Sequence, residues 1–439
     1  MRPRDVQERR QQRQFLHLPG GDHLWDVERV QLRSTDRLRG RIDIRHSNIG
    51  GTEINTDQVA GHQETLYLVG IMTPTILGLD IGGANLKAAT ADQRVLSVPF
   101  ALWRQPDKLP ATLAELVAQF PEADELAVTM TGELCDCYET KREGVAAILA
   151  AVRFASAGRR IRVWSTDGQF LDPEQAQQNH LLVASANWHA LATFVGRYVP
   201  NGPATLIDIG STTTDLIPML DGRPVARGRT DPERLRHYEL VYTGVRRTPV
   251  MALMESRVAA EVFATTLDVY LWLGMIPETF ADSETADGRP ATQSQAFNRL
   301  CRMVCGDRDC ITVEDIDRLA NEAMQRQVRT IAMAYHRVGE AIGIQLAKEG
   351  RHQSREPLRI PIISGSGEFL LRHAFQQNWI DYGADRGVEP IWLTELLNHD
   401  VSTCAPAYAV AVLASERPAD ERSLSAGEWG ERGCKPSGY

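Results

Sequence analysis

Two aspartates occupy matching places in the two halves of the sequence. Asp80 ends one apolar run and opens the segment DIGGANLK (80–87), and Asp208 ends another and opens DIGSTTTD (208–215). An aspartate at the end of a strand is a hard oxygen ligand that suits Mg²⁺, commonly through the ion's waters. We therefore predict that Asp80 and Asp208 hold Mg²⁺ in a metal–phosphate complex between two lobes.

Glycine-rich turns follow both aspartates, and a third turn of this type is ISGSGE (363–368). Glycines after an apolar strand let bare backbone approach an anion, and successive N–H groups in such turns form anion-binding concavities. One such sequence is more often a tight turn with a solvated aspartate, but three of them, two in matching positions, favour a shared phosphate site. The predicted phosphate-binding residues are Gly82, Gly83, Asn85, Lys87, Gly210, Ser211, Thr212, Thr213, Gly365, Ser366 and Gly367.

The elements that position these turns alternate between strand and helix patterns from residue 72 onward. Apolar runs and helical spacing predict strands over 75–80, 86–91, 94–99, 126–130, 161–164, 204–208, 215–219 and 358–363, and helices over 108–120, 143–154, 184–198, 316–347, 368–373 and 405–415. Because each half begins with a strand, Asp-x-Gly and a second strand, we predict a duplicated α/β fold with a cleft between the copies. Lobe I then covers residues 72–203, lobe II covers 204–416, and 417–439 form a flexible tail.

Composition narrows the class of protein. The 439 residues are 43% hydrophobic and 24% charged, which excludes collagen-like, low-complexity and wholly disordered chains. The formal net charge of −9 argues against nucleic acid or an anionic membrane as a partner, and no run of about 18 apolar residues suggests a membrane-spanning helix. Seven cysteines at odd spacings do not form a disulfide scaffold, so we expect a reducing, cytoplasmic location. No GxxxxGK[ST] segment occurs, which excludes a P-loop.

Residues 1–71 differ from the rest of the chain. They contain 11 Arg and 10 Asp plus Glu, a net charge of +1 (11 − 10), and they show no sustained period of 2 or 3.6. We expect a poorly ordered extension, or a native protein that starts at Met72, because a buried strand follows at once. A nucleic-acid-binding arm is the weaker alternative, since acidic residues interleave with the basic opening.

Several segments resemble known families. ILGLDIGGANLKAA, TLIDIGSTTTDLIP and PIISGSGEF resemble the two phosphate loops and the adenosine loop of the sugar kinase, Hsp70 and actin superfamily. VTMTGEL, KREGVAAIL, STDGQF, ASANWHALA and VYTGVRRTP are similar to a narrower group, the hydantoinase/oxoprolinase-related proteins linked to tetrahydromethanopterin-dependent one-carbon transfer. The resemblance runs from about Thr75 to Glu416 and implies a two-lobed, duplicated RNase H-like α/β fold.

This resemblance implies a condensation in the biosynthesis of methanofuran or an analogue. The implied reaction joins an aminomethyl-furan methyl diphosphate to the phenol of a γ-glutamyltyramine-type substrate and releases pyrophosphate. Mg²⁺ and the glycine-rich turns suit this chemistry because they stabilise charge on the leaving group. Glu133, in the turn Thr131-Gly-Glu133, is the candidate base for the phenol proton or a stabiliser of the furan cation. The alternative for Glu133 is an ordinary turn carboxylate.

Charged residues in the matching segments are candidates for the rest of the site. The chain has 5 Lys against 43 Arg, and Lys87 and Lys141 both lie in candidate segments. A compact ammonium suits a diphosphate oxygen, which makes Lys141 a second catalytic candidate; its alternative is a surface residue. Arg246 and Arg247 are predicted to clamp a carboxylate or phosphate of the second substrate, and their alternative is an interlobe ion pair.

Two other functions stay open at this point. One is the ATP-dependent hydrolysis of a cyclic amide, as in hydantoinases and 5-oxoprolinase, and the other is a nucleotide-dependent actuator like the chaperones of the superfamily. We expect small-molecule substrates, with a homodimer surface on the exposed face of the 316–347 helix.

The three cysteines within 301–310 lack a second half of a zinc site, so we do not expect them to bind a metal. Trp188 and His189 are expected to be packing residues rather than a catalytic pair.

Overall fold

The computed structural model describes residues 74–351, 359–382 and 387–417. The predicted extension over 1–71 and the predicted tail beyond residue 417 lie outside the described residues. Within the described part of the chain, no helix combines the length and the apolar character needed to cross a membrane.

Strands and helices alternate along most of the described chain. The strands are β1 (Ile76–Ile81), β2 (Asn85–Thr90), β3 (Val95–Pro99), β4 (Glu125–Met130), β5 (Arg160–Trp164), β6 (Phe170–Leu171), β7 (Pro203–Ile209), β8 (Thr214–Leu220), β9 (Arg223–Pro224), β10 (Leu240–Val241), β11 (Ile360–Ser364) and β12 (Ile391–Trp392). The α-helices are α1 (Leu109–Ala118), α2 (Lys141–Ser156), α3 (Pro173–Gln178), α4 (His180–Val183), α5 (Asn187–Val195), α6 (Asp231–Arg236), α7 (Val250–Leu253), α8 (Thr266–Trp272), α9 (Gln293–Met303), α10 (Val313–Lys348), α11 (Glu368–Gln376), α12 (Leu393–Leu397), α13 (His399–Thr403) and α14 (Ala405–Ser415). All the predicted strands and helices have counterparts here.

Two sheets share one strand order. The first runs β3-β2-β1-β4-β5-β6 and the second β10-β8-β7-β11-β12, with β9 paired to β8. In both sheets a hairpin opens the unit, since β1 pairs antiparallel with β2 and β7 with β8. The opening strand also pairs in parallel with a later strand, β4 in the first sheet and β11 in the second. This repetition confirms the predicted α/β class and the duplicated, two-lobed RNase H-like architecture.

The opening strands are buried on both faces. Every residue of β1 is buried, and five of the seven residues of β7 are buried, while Pro203 and Asp208 are half-buried. A strand covered on both faces reads as a continuous apolar run rather than as an alternating one, which explains why the sequence pattern around residues 76–81 was so clear. An aspartate at the end of such a strand is therefore carried into the interior with it.

One hydrophobic core joins the two sheets. It contains Ile76 of β1 and Leu206 of β7 together with Trp188 of α5 and Tyr408 of α14. Because α5 and α14 contribute to this core along with strands of both sheets, the core fixes the two sheets relative to each other. The candidate site at the strand ends consequently rests on a packed interlobe base.

The last helix returns to the first sheet. We predicted that lobe II extends to residue 416, but α14 packs on β1, β2 and β4. The approach is close at Gly78, where an added β-carbon would lie 1.9 Å from the carbonyl oxygen of Ala407. The sequence could not assign this helix to a lobe because a uniformly apolar helix carries no mark of its partner.

Helix α10 is the longest element and supports the second lobe. Thr312 caps it in a capping box with Asp315, which sets its start three residues before the predicted one. Its buried residues, among them Val328 and Tyr335, belong to the core of the second lobe. Met333 is 53% exposed on the opposite side. The homodimer surface expected on that side stays a prediction.

The contact between Gly78 and Ala407 gives a first prediction. Gly78→Ala should lower the free energy of unfolding by about 1–3 kcal/mol, because the added methyl group meets backbone that cannot move aside without shifting α14. Calorimetric unfolding of the purified variant measures this loss. Gly343→Ala, in the interior of α10 with nothing within 4 Å of the added carbon, is the matched control and should stabilise by about 1 kcal/mol. Equal stability of Gly78→Ala and the unaltered protein would contradict the packing described here.

Candidate active site

The first two glycine-rich turns have the same backbone geometry. The N–H of Gly82 donates to the carbonyl of Asn85 at 3.0 Å, and the N–H of Gly210 donates to the carbonyl of Thr213 at 2.9 Å. Each turn therefore closes over the same number of residues, directly after a strand whose penultimate residue is the aspartate. The two halves build one local structure twice.

The third turn packs against the second. Ser364, at the end of β11, is the parallel partner of Asp208 on β7. Gly365 has a φ of +89°, and an added β-carbon there would lie 2.6 Å from Oδ1 of Asp208. Only glycine accommodates both the left-handed backbone and this close approach. The structure thus brings the second and third predicted phosphate turns together around one carboxylate.

Most side chains and backbone atoms of the predicted phosphate turns retain access to solvent. Nine of these residues are half-buried: Gly82, Gly83, Asn85, Lys87, Gly210, Ser211, Thr212, Thr213 and Gly365. Of the other two, Ser366 is exposed and Gly367 is buried. The hydroxyls of Ser211 and Thr212 lie 3.4 Å apart. Donors that are positioned but not covered are available to an anion. Phosphate binding by these residues stays a prediction.

Asp80 and Asp208 interact across the lobe boundary. The pKa of Asp208 is raised to about 7, chiefly by burial and also by the charges of Asp215 and Asp80, while Lys87 and the Ser364 hydroxyl oppose the shift. Burial also raises the pKa of Asp80, and Lys87 again opposes the rise. Since Lys87 acts on both aspartates and Asp80 acts on Asp208, the carboxyl groups near the ends of β1 and β7 are close enough to influence each other electrostatically.

The two aspartates fit the predicted Mg²⁺. Oδ1 of Asp80 is buried and has no hydrogen-bond partner among the described residues, so a ligand for it is lacking. The described residues form no group of three or more His, Cys, Asp or Glu side chains suited to a metal. Mg²⁺ does not need one, because it typically binds through one or two carboxylates and keeps waters or substrate phosphates in its other positions. Asp80 and Asp208 are the residues that would hold it.

A second polar cluster lies beside the first turn and contains Glu133. The N–H groups of Thr131 and Gly132 both donate to the carbonyl of Ile81, which fixes the turn after β4 to the end of β1. Glu133 follows them with no exposed surface. An added carbon on Gly144 of α2 would lie 2.1 Å from the Glu133 carbonyl, so α2 holds this turn in place from the other side.

Lys141, Ser185 and Asp231 surround the Glu133 carboxyl. Nζ of Lys141 lies 2.6 Å from Oδ2 of Asp231 and 3.6 Å from Oε1 of Glu133. Oγ of Ser185 lies 2.8 Å from both of these carboxylate oxygens. Burial raises the pKa of Glu133, and the charge of Lys141 and the Ser185 hydroxyl oppose the rise. Lys141 is thus a largely buried, paired cation, which removes the alternative of a free surface residue.

Arg234 links this cluster to the second turn. Its guanidinium forms an ion pair with Asp215, the strand partner of Asp208, and lies 3.7 Å from Oδ1 of Asp231. The same group lies 4.4 Å from the ring centroid of Trp188, which is buried. A continuous set of charged side chains consequently runs from the second aspartate to Glu133.

Sequence reasoning missed Ser185, Asp231 and Arg234. A usable signal existed for Asp231: Thr230 and Glu233 form a capping box, and their spacing marks the start of α6 in the sequence. Ser185 lies between α4 and α5 at a φ of +51°, which no sequence pattern indicates. Nothing in the sequence alone relates the start of α6 to the turn at Glu133, because they are far apart along the chain.

The two predicted substrate-binding arginines lie in different surroundings. Nη2 of Arg246 is 2.8 Å and 2.7 Å from the carboxylate oxygens of Asp282, so Arg246 is engaged within its own lobe. Arg247 is exposed, and its guanidinium lies 4.5 Å from the ring centroid of Trp103 in the other lobe. Backbone bonds tie Arg247 to Ser211 of the second turn. This interlobe stacking contact lies next to the turns.

The cysteine group and the Trp188–His189 pair lie in different surroundings. Cys301 is buried, whereas the cysteines at 305 and 310 are exposed, and all three are free. His189 accepts a hydrogen bond from Nε1 of Trp164 at 3.3 Å, and burial lowers the pKa of His189 to about 4. A neutral, hydrogen-bonded histidine of this kind is a packing residue, as the sequence led us to expect.

Comparisons with known proteins give a consistent picture. The sequence model of the hydantoinase/oxoprolinase family matches residues 124–415. A protein of Methanocaldococcus jannaschii, (4-{4-[2-(γ-L-glutamylamino)ethyl]phenoxymethyl}furan-2-yl)methanamine synthase, is 32% identical over 77% of this chain and 97% of its own length. The synthase of the same name from Methanococcus vannielii is 30% identical over 51% of this chain and 95% of its own length. A nucleotide-free acetone carboxylase structure covers 77% of this chain and 70% of its own, with 10% identity and a TM-score of 0.44.

The raised pKa of Asp208 leads to a second prediction. An acid whose pKa is raised to about 7 in the folded state destabilises the protein as the pH rises from its unfolded pKa, near 4, to 7. In the presence of a chelator, Asp208→Asn should therefore melt at a higher temperature than the unaltered protein, by a margin that grows over this interval and levels off above pH 7. Differential scanning calorimetry across this pH series measures the margin.

Magnesium supplies the control for this experiment. Adding MgCl₂ at pH 8 should raise the melting temperature of the unaltered protein and leave that of Asp208→Asn nearly unchanged, because the variant lacks one ligand. An equal response of both proteins to MgCl₂ would place the ion elsewhere.

Proposed function

The chain belongs to the hydantoinase/oxoprolinase family, and from this premise we propose that it is a synthase of methanofuran, or methanofuran-analogue, biosynthesis. In this proposal it condenses an aminomethyl-furan methyl diphosphate with a γ-glutamyltyramine-type phenol and releases pyrophosphate. The supporting observation is the 32% identity to the Methanocaldococcus jannaschii synthase across 97% of that enzyme's length. No other activity is named among the curated relatives described above.

The charges of the site suit the departure of a diphosphate. Three glycine-rich turns, two of them fixed by identical backbone bonds, offer N–H and hydroxyl donors near the paired aspartates. Mg²⁺ held by Asp80 and Asp208 would neutralise charge on the leaving pyrophosphate. Lys87, which acts electrostatically on both aspartates, would contact a diphosphate oxygen in this proposal. These donors act on the charge that develops as the carbon–oxygen bond breaks.

Glu133 and Lys141 would serve the second substrate. The attacking phenol oxygen must lose its proton as it bonds to the furan methylene carbon, and a carboxyl group within reach can take that proton. Glu133 is buried beside the first turn, and Oε2 of its carboxyl has no hydrogen-bond partner among the described residues. Lys141 lies beside it and pairs with Asp231. Arg247 is the candidate for an anionic group of the phenolic substrate.

The proposal is tested by supplying the purified protein with MgCl₂, the furan diphosphate and γ-glutamyltyramine, and by following the ether product and pyrophosphate. A second reaction contains MgCl₂, ATP and a hydantoin. Ether and pyrophosphate formed in equal amounts without nucleotide support the proposal. ATP hydrolysis stimulated by the hydantoin would replace it with a cyclic-amide hydrolase, and basal ATP hydrolysis alone would favour an actuator.

The metal and phosphate assignments predict the behaviour of two variants. Asp80→Asn and Asp208→Asn should each lower kcat for ether formation by about 10²- to 10⁴-fold, because each removes a carboxylate that would hold the Mg²⁺ on the leaving pyrophosphate. Steady-state assays at saturating MgCl₂, with circular dichroism to verify folding, measure this effect. Asp221→Asn is the matched control, since Asp221 pairs with Arg351 on the surface of lobe II. Activity near the unaltered level in both site variants would remove the metal assignment.

A further inference from the structure

The hydroxyl of Ser185 makes contacts that its single proton cannot satisfy. Oγ lies 2.8 Å from Oε1 of Glu133 and 2.8 Å from Oδ2 of Asp231. A serine hydroxyl donates one hydrogen bond and accepts others, whereas an ionised carboxylate only accepts. If both carboxyl groups were ionised, one of the two contacts would place lone pairs against lone pairs. The three groups therefore hold one proton in addition to that of the serine.

The surrounding charges decide which carboxyl carries this proton. Lys141 approaches Asp231 to 2.6 Å but stays 3.6 Å from Glu133, and Arg234 lies 3.7 Å from Asp231. Both cations favour an ionised Asp231. Asp215, which is itself paired with Arg234, also interacts with Asp231, and Cys135, two residues after Glu133, also interacts with Glu133. The extra proton accordingly resides on Glu133, whose carboxyl has no exposed surface.

The backbone of Ser185 supports a specific role for its hydroxyl. Its φ of +51° lies in the left-handed region, which a serine adopts rarely and at a cost in free energy. Ser185 is in lobe I, as is Glu133, while Asp231 begins α6 in lobe II. The unusual conformation carries the hydroxyl to a point between carboxyl groups of the two lobes.

We propose that Glu133, Ser185 and Asp231 form a proton relay across the lobe boundary, with Asp231 as the final acceptor of the phenol proton. The relay rests on the proposed function for its substrate. The phenol O–H proton passes to Oε2 of Glu133, the proton on Oε1 passes to Oγ of Ser185, and the serine proton passes to Oδ2 of Asp231. The phenol oxygen bonds to the furan methylene carbon through a lone pair and stays neutral because it keeps the electron pair of its O–H bond. Pyrophosphate departs with the electron pair of the C–O bond that breaks.

This arrangement solves a problem that a lone buried base would have. Glu133 is neutral before and after the transfer, so no charge has to be created on a carboxyl without water contact. The charge that disappears is that of Asp231, which lies between Lys141 and Arg234. A phenol oxygen that has begun to bond to an electron-poor carbon is strongly acidic, so a carboxylate can accept its proton. Ser185 and Asp231 act through Glu133 and are positioning residues in this sense.

The resting proton can be tested without any substrate. Infrared spectra of the free enzyme at pH 8 with MgCl₂ should contain a protonated-carboxyl band that is absent from Glu133→Gln and shifted to higher wavenumber in Ser185→Ala, which removes the hydrogen bond but keeps the β-carbon. The spectrum of Asp208→Asn shows whether the carboxyl of Asp208 contributes to the protonated-carboxyl band. A spectrum of the unaltered enzyme that matches that of Glu133→Gln overturns the relay, whatever the activity of the enzyme.

Kinetic measurements then test the transfer. In ether synthesis, Ser185→Ala and Asp231→Asn should lower kcat about 10²-fold or more with little change in KM. The rate of ether formation should also be measured as a function of the deuterium fraction of the solvent. The plot should be curved for the unaltered enzyme, where several protons move together, and linear for Ser185→Ala. Asp167→Asn is the control, because it removes the interlobe pair with Arg229 without contacting the relay. Equal kcat values in Ser185→Ala and Asp167→Asn would contradict the relay.

The two measurements separate the relay from the proposed function. If the Glu133 band is present and no ether forms, the proposed substrates are wrong, and the assignment of the phenol proton falls with them. If ether forms and the band is absent, the synthase proposal stands and the relay is overturned.

Discussion

The burial of negative charge where the two lobes meet is the constraint on which the rest of the structure depends. Asp80 and Asp208 lie at the ends of buried strands, and Asp208 also faces Asp215 across its hairpin. Like charges in a poorly hydrated space repel strongly, so they persist only with compensating partners. Lys87 and Arg234 supply two positive charges. The interlobe core of α5 and α14 keeps these groups close in spite of their repulsion.

Duplication of the fold places these groups, and divergence of the two halves makes the site chemically asymmetric. The aspartates and the turns behind them are equivalent, yet the residue paired with the aspartate is Lys87 in the first hairpin and Asp215 in the second. The negative charge of Asp215 recruits Arg234, and Arg234 in turn faces Asp231. The cluster at Glu133 is therefore connected to the second half of the fold through Asp215, which stands where the first half has Lys87.

The sequence predicted the parts of this structure that depend on local pattern. Asp80 and Asp208 were found because identical turns follow both, and the buried strands before them produce continuous apolar runs. The C-terminal helix over 405–415 was also predicted with its observed bounds. The short helices α6, α7 and α8 were not predicted, since each has 7 residues or fewer and too few turns to show a helical period. The sequence analysis also missed α9, although it has 11 residues. Ser185 and Asp231 escaped notice because their importance arises from a contact between distant segments, which periodicity and motifs do not encode.

The charges at the centre also bear on how a diphosphate would be held. When ionised, Asp80, Asp208 and Asp215 carry three negative charges against the two positive charges of Lys87 and Arg234, and Arg234 is already committed to Asp215 and Asp231. A diphosphate brought to the turns would meet a site whose own charge is negative. Backbone N–H groups alone do not reverse that sign, because each contributes only a partial charge. A divalent cation between the aspartates does reverse it, so the same carboxylates that oppose an anion in the free protein would become the means of binding one when Mg²⁺ is present.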